Sequence, residues 1–398
     1  MSGTKVLLVG DTSNRTNWGC RATSAALRTL VEEHATIVGA VDMLRLRERV
    51  PGRVPVTALD PPSPVAAARR QGRRARARVR RAVHPAATDL GPDDLERFAD
   101  DLVAGRTHPH LTRAIQAADV VLVNGEGAIL QDRSGGRLML GIAYAARTRF
   151  DRRVAIVNHT ADLRSGMLPV ARRVYPVIDD IRVRELHSLR EVDEVAGTVP
   201  HAFAADAAFS GPPPPPLPSR DRPRIVVGGS AAYHKAAVSP DALRAGFHEL
   251  CTRLGALGTV VVTAASVPDD QVLQPVASSL GLTYHGLTTP TQEAADLLAT
   301  ADLYVGGRWH PAILASRGGT PVVAFSSNSR NKIQGLLELL DIDQPEVDAL
   351  RMGEHVDALT ALAAVRLAAP GRERTAARAR ELAASAADNV AILRSPAL

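Results

Sequence analysis

The sequence predicts an α/β protein of two domains, each built on a mostly parallel sheet, with a ligand cleft between them. Three observations carry that expectation. Short runs rich in Val, Ile and Leu alternate with helical patterns along most of the 398 residues, as in βαβ units whose strands are covered on both faces. The alternation breaks once, at Gly211-Pro-Pro-Pro-Pro-Pro-Leu-Pro-Ser-Arg-Asp-Arg-Pro223, where consecutive prolines favour an extended, semi-rigid spacer. It then restarts. Two such domains joined by a hinge place their ligand between them, at the carboxyl ends of the strands.

In the first domain, residues 1–210, the aliphatic and β-branched runs Lys5–Val9, Thr36–Val41, Val54–Leu59, Asp119–Asn124, Val154–Asn158, Ile181–Arg184 and Ala202–Ala205 read as strands. Good helix formers at helical spacing fill Cys20–Glu33, Gly136–Arg147 and His187–Ala196 between them. Residues 60–91 interrupt the pattern with Pro, Ala and Arg, and read as an inserted loop or a basic helix with frayed ends. After the spacer at 211–223, the second domain (224–369) repeats the pattern. Its strands are Arg224–Val227, Val260–Thr263, Thr283–His285, Asp302–Val305 and Val322–Phe325; its helices are Pro240–Leu254, Asp269–Leu280, Thr291–Ala299 and Pro311–Arg317. Residues 370–398 form a tail whose Ala-rich stretch Gly371–Asn389 reads as a final helix.

Composition narrows the function. The chain carries a formal charge of +6, yet residues 69–81 alone hold eight arginines and no acid, so the remaining residues sum to −2. The basicity belongs to one segment. No interleaved aromatics accompany it, so no nucleic-acid partner is expected. A solvated, disordered loop is the first expectation, with attraction to anionic lipid as the functional alternative. Cys20 and Cys251 are too few and too far apart for a disulfide framework or a zinc site. No apolar run is long enough to span a membrane, and Met1–Asp11 enters a strand without a leader pattern. These features favour a cytoplasmic protein, with the inner membrane face as the alternative that the arginine run allows.

The chemistry concentrates at strand ends. Gly10-Asp11-Thr12-Ser13-Asn14-Arg15-Thr16-Asn17 leads from the first strand into a helix and suits an anion or a sugar hydroxyl, or simply caps that helix. It matches neither dinucleotide-binding nor P-loop patterns. Asn124-Gly-Glu126-Gly127 sets a carboxylate between two glycines, where backbone can approach a ligand closely; Asn158-His159 is a third polar end. In the second domain, Gly307-Arg308-Trp309-His310-Pro311 opens a helix with a guanidinium and a titratable imidazole. Ser326-Ser-Asn328-Ser-Arg-Asn-Lys332 brings one of only three lysines to the next strand end, as a compact cation suited to phosphate. Arg184, at a first-domain strand end, could complete an anion site across the cleft.

In this order, Asn17-Trp-Gly19, Asn124-Gly-Glu-Gly127, Val183-Arg-Glu-Leu-His-Ser188, Ala205-Asp206-Ala-Ala-Phe209, Gly307-Arg-Trp-His310 and Ser327-Asn328 leading to Lys332-Ile resemble the polysaccharide pyruvyl transferase family. The Arg-x-His followed by Lys is the most specific element. The resemblance implies two Rossmann-like domains in a GT-B-like arrangement, with no metal or other cofactor and with phosphoenolpyruvate as donor. On it, Arg184, Arg308, His310, Asn328 and Lys332 form the phosphoenolpyruvate site on the second-domain side. Asp11, Asn17, Arg21, Asn124, Glu126 and His159 meet a sugar-containing acceptor on the first-domain side. His310 and Arg308, with Glu126 or His159 as base, would carry catalysis. Many members have Asn-x-Gly-Asp where this chain runs Asn17-Trp-Gly19-Cys20-Arg21, a departure on the acceptor side. The alternatives are a GT-B-type glycosyltransferase using a nucleotide sugar and a non-catalytic carbohydrate-binding relative.

Overall fold

The computed structural model describes residues 3–43, 90–131, 133–164, 166–234, 239–369 and 371–394. The expected strand Val54–Leu59, and the arginine run at 69–81 with any membrane contact through it, lie outside the described residues.

Strands β1 (Lys5–Val9), β2 (Thr36–Val41), β3 (Val120–Glu126), β4 (Arg153–His159), β5 (Asp180–Val183) and β6 (His201–Phe203) form one sheet in the order β2-β1-β3-β4-β5-β6. Strands β7 (Arg224–Ser230), β8 (Thr259–Thr263), β9 (Thr283–His285), β10 (Leu303–Gly307) and β11 (Val322–Ala324) form a second, in the order β11-β10-β7-β8-β9. Every pairing in both sheets is parallel. The helices of the first half are α1 (Trp18–Glu32), α2 (Leu95–Val103), α3 (Pro109–Ala117), α4 (Ser134–Thr148), α5 (Met167–Val174) and α6 (Leu186–Asp193). Those that follow are α7 (Pro240–Leu257), α8 (Val267–Leu280), α9 (Thr291–Ala299), α10 (Trp309–Arg317), α11 (Arg330–Leu339), α12 (Val356–Ala368), α13 (Arg372–Ala386) and α14 (Ala391–Arg394).

The strands read as unbroken apolar runs because both faces are covered. Val6 and Leu8 of β1 pack with Leu27, Leu30 and Val31 of α1, while Leu7 and Val9 face Phe98 and Leu102 of α2 and Leu138 of α4. In β7 the same alternation sends Ile225 and Val227 to one layer and Val226 to the other. Side chains that alternate across a strand make this two-layer burial a direct consequence of the sequence.

In each sheet the winding reverses beside the first strand, between β1 and β3 and between β7 and β10. Such reversals open a crevice at the strands' carboxyl ends. The α/β architecture of two Rossmann-like halves facing a cleft is therefore the observed one.

Several boundaries move from the expectation, and each move has a cause. Strands β3 and β4 run on through their polar ends because each supports the other in register, with Glu126 opposite His159. Strand β6 is shifted to His201–Phe203, since the chain turns at Asp206 into a short 3-10 helix, Ala207–Ser210. The tail is not one helix: α13 ends at Ala386, and a 3-10 turn (Ala387–Val390) leads to α14. Ala379 and Leu382 of α13 pack in the second half, whereas Val390 and Ile392 return to the core of the first. Among the described residues no helix is long and apolar enough to cross a membrane.

Candidate active site

A cleft of about 750 Å³ opens between the carboxyl ends of the two sheets and takes its walls from both halves. Of the residues singled out from sequence, Asn17, Asn124, Glu126, Arg184, Arg308, His310, Asn328 and Lys332 line it. Asp11, Arg21 and His159 do not line it.

The geometry is organised by a carboxylate to which sequence reasoning gave no role. Asp206, fully buried, accepts hydrogen bonds from Arg184 Nη1 at 2.6 Å, Thr23 Oγ1 at 2.7 Å and Trp309 Nε1 at 2.9 Å. His310 Nε2 lies 3.5 Å from the same carboxylate. Burial by itself would raise the Asp206 carboxyl, but the charges of Arg184 and His310 and its hydrogen bonds hold it well below the ordinary range. Asp206 thus ties the end of β5 to the start of α10 across the cleft. Arg184 Nε also donates to Thr160 Oγ1 at 2.8 Å, and its guanidinium lies over the Trp309 ring, 4.7 Å from the centroid. Two buried aromatic and hydroxyl contacts leave it little rotational freedom.

Arg308 occupies the N-cap of α10, and its Nη2 donates to Asp269 Oδ1 at 2.7 Å and to Ser266 Oγ. Asp269 is a second anchor that sequence reasoning missed; the only signal for it was an acid in the first turn of α8, where acids also serve the helix dipole.

Lys332 reaches the cleft from the first turn of α11, donating from Nζ to Asn328 Oδ1 at 3.1 Å. Burial, reinforced by the nearby Arg184 and Arg133 charges, pushes its ammonium down to about 7. It sits directly on the backbone of Gly127, where a Cβ would collide with Nζ. Gly19 admits His310 in the same way: a Cβ there would come within 2.8 Å of the His310 Cβ. Two glycines of the first half therefore make room for two side chains of the second.

Glu126 stands on the cleft wall with its backbone in the left-handed region (φ 36°), a conformation costly for a residue with a Cβ. Its Oε1 accepts from Thr12 Oγ1 at 2.6 Å and Asn124 Nδ2 at 3.3 Å. Asn124 Oδ1 accepts in turn from Asn158 Nδ2 at 3.0 Å. Asn17 caps α1, its Oδ1 accepting from Gly19 N at 2.9 Å and Cys20 N at 3.3 Å, and Cys20 also lines the cleft.

The three remaining residues are occupied elsewhere. His159 is closed off behind Gly125, with Nε2 2.7 Å from the Tyr175 hydroxyl, and burial together with the Arg184 charge pushes its imidazole down to about 3. It stays neutral at working pH. Asp11 is ion-paired with Arg28 at 2.5 Å. Arg21 clamps the two halves, donating from Nε to Thr291 Oγ1 at 2.9 Å and from Nη2 to Thr289 O at 3.0 Å. Placement on adjacent loops is legible in sequence; which way a side chain turns from its strand end is not. No group of three or more His, Cys, Asp or Glu side chains that could hold a metal lies among the described residues.

Two Rossmann-like halves with a cationic cleft at their strand ends define a GT-B-like architecture. The solved structure of the spinosyn rhamnosyltransferase SpnG shares this fold at 15% identity and a TM-score of 0.50, over 98% of this chain and 99% of that one. A UDP-GlcNAc 2-epimerase from Neisseria meningitidis, solved with UDP-GlcNAc bound, shares it at 11% identity and a TM-score of 0.56, over 98% and 100%. At such identities the likeness concerns the fold alone. The model of the polysaccharide pyruvyl transferase family matches residues 77–329, and the chain belongs to that family. It is thus a transferase of the class that acts on sugar-containing acceptors. Comparison with curated protein sequences finds no match.

Proposed function

We propose that the protein transfers the pyruvyl group of phosphoenolpyruvate to two hydroxyls of one sugar, forming a ketal and releasing phosphate. The supporting observation is that Arg184 from the first half and Arg308, His310 and Lys332 from the second face one cleft, held by Asp206, Asp269 and Asn328. The donor carries a phosphate and a carboxylate. A cleft with preoriented cations at two places matches it, and such cations stabilise charge that develops during transfer.

In this reading a proton is delivered to the methylene carbon while the first sugar hydroxyl adds to C2 and gives up its proton. The C2–O bond to phosphorus-bearing oxygen then breaks, its electron pair leaving with phosphate. The second hydroxyl adds to C2, loses its proton and closes the ring. His310, which lines the cleft at the start of α10 with Nε2 3.5 Å from the Asp206 carboxylate, is the proton donor. Glu126 is the base for the sugar hydroxyls, since it faces the cleft while His159 does not. Asn17 and Asn124 offer amide groups to the acceptor.

Phosphate release from phosphoenolpyruvate, measured against a panel of sugars with mass spectrometry of the product, tests the proposal. Arg308→Ala and His310→Ala are each expected to lower kcat/KM at least ~100-fold with the fold intact. Normal turnover in both variants overturns the site assignment. Thermal stabilisation by a nucleotide sugar but not by phosphoenolpyruvate would replace the donor.

A further inference from the structure

We infer that Arg133, which sequence reasoning did not select, is the third cation of a phosphate subsite shared with Arg184 and Lys332. The inference deepens the proposed donor reading by naming the group that binds the leaving phosphate.

Arg133 sits at the N-cap of α4, exposed at the mouth of the cleft, and lines it beside Ser134 and Gly135. The other arginines of the wall each have a carboxylate: Arg184 has Asp206, Arg308 has Asp269 at 2.7 Å, and Arg15 has Asp42 at 3.6 Å. Among the described residues no carboxylate pairs with Arg133. Nearby, Lys332 Nζ and Arg184 Nη2 converge over Gly127, the latter 3.5 Å from where a Cβ on that glycine would lie. Lys332 Nζ donates to the neutral amide of Asn328, and the charges of Arg184 and Arg133 both bear on it. Three cations from α4, the β5 end and α11 thus face a common space in which Glu126 is the one acid among the described residues of the cleft wall. Like charges held this way repel one another until an anion enters. A phosphate dianion, with three acceptor oxygens, satisfies all three through charge-assisted bonds. The donor's carboxylate is then left to Arg308 and His310, about the start of α10.

The geometry also predicts that Arg133 can be removed without unfolding the chain, because its side chain makes no cap bond to α4. The test is calorimetric titration of the full-length protein with inorganic phosphate, at low and moderate salt. Wild type is expected to bind, Arg133→Ala to bind about tenfold more weakly, and Arg133→Lys to fall between them, with unfolding midpoints unchanged. The KM for phosphoenolpyruvate should rise in parallel. Phosphate affinity in Arg133→Ala within twofold of wild type, or no phosphate binding by wild type, overturns the subsite. Phosphate binding that weakens as expected, in a protein that transfers no pyruvyl group to any sugar, keeps the subsite and removes phosphoenolpyruvate as the donor.

Discussion

At the scale of single residues, burial decides which of two chemically similar candidates can act. Glu126 and His159 face each other in register on β3 and β4, yet only Glu126 lines the cleft. His159 turns into the sheet's interior, where desolvation keeps it neutral. Lys332 shows the cost that a binding role places on a fold. Its ammonium is held at about 7 in the folded chain against 10.5 unfolded. Between those values the unfolded state binds the extra proton, so this group makes stability rise with pH from about 7 towards 10, and below 7 its penalty is fully present. Lys332→Met should therefore be more stable than wild type at pH 6, by roughly 1–2 kcal/mol, with the gap closing towards pH 10. Urea unfolding across that range checks it; a gap independent of pH would mean that charge burial is not its source. The same variant should lose phosphate affinity, because the strain it relieves is the binding device.

At the scale of elements, function sits where regular structure ends. The loop after β3 and the first turns of α4, α10 and α11 supply the cleft because their strands are parallel and so terminate on one side. Glycine at 127 is what lets α11 deliver Lys332 to that loop. Gly127→Ala places a methyl against a flexible side-chain tip rather than against backbone, so Nζ moves and the fold holds. The expected result is about tenfold weaker phosphate binding with less than ~1 kcal/mol change in unfolding free energy. Equal titrations for variant and wild type would show that Lys332 does not need its observed position. Most strands were legible because their periodicity and β-branched content are local. The helices α2, α3, α5, α11, α12 and α14 have no counterpart among the helices expected from sequence. Helix α11 begins in Ser329-Arg330-Asn331-Lys332, a polar stretch that resembles a loop until Leu336 and Leu339 are seen packing in the second half's core.

At the scale of the whole molecule, the two halves are joined by more than the proline segment. Trp18 of α1 donates from Nε1 to Ala264 O at 3.1 Å, Arg21 reaches the loop before α9, and His187 Nε2 meets Glu338 at 2.9 Å. The tail adds a return connection. Asn389 accepts from Asn158 N at 2.7 Å and donates to Ala205 O at 2.8 Å, so a residue near the chain's end closes the polar ends of β4 and the segment after β6. Asn389→Ala leaves those buried groups unpaired and should cost about 2–3 kcal/mol of stability. A loss below ~0.5 kcal/mol in urea unfolding would show that the tail contributes little to the first half.

The sequence by itself determined that this is an α/β chain with two parallel sheets, because strand length, apolar content and alternation are properties of neighbouring residues. It also placed Arg184, Arg308, His310, Asn328 and Lys332 at strand ends, since parallel strands send their following loops to one side. Only the tertiary structure decided what those groups face. That Asp206 joins Arg184 to Trp309, that Lys332 lies on Gly127, that His159 is closed away and that Arg133 opens onto the cleft all depend on contacts between segments distant in the chain. Desolvation and charge pairing are set by those neighbours, and no local pattern in the sequence encodes them.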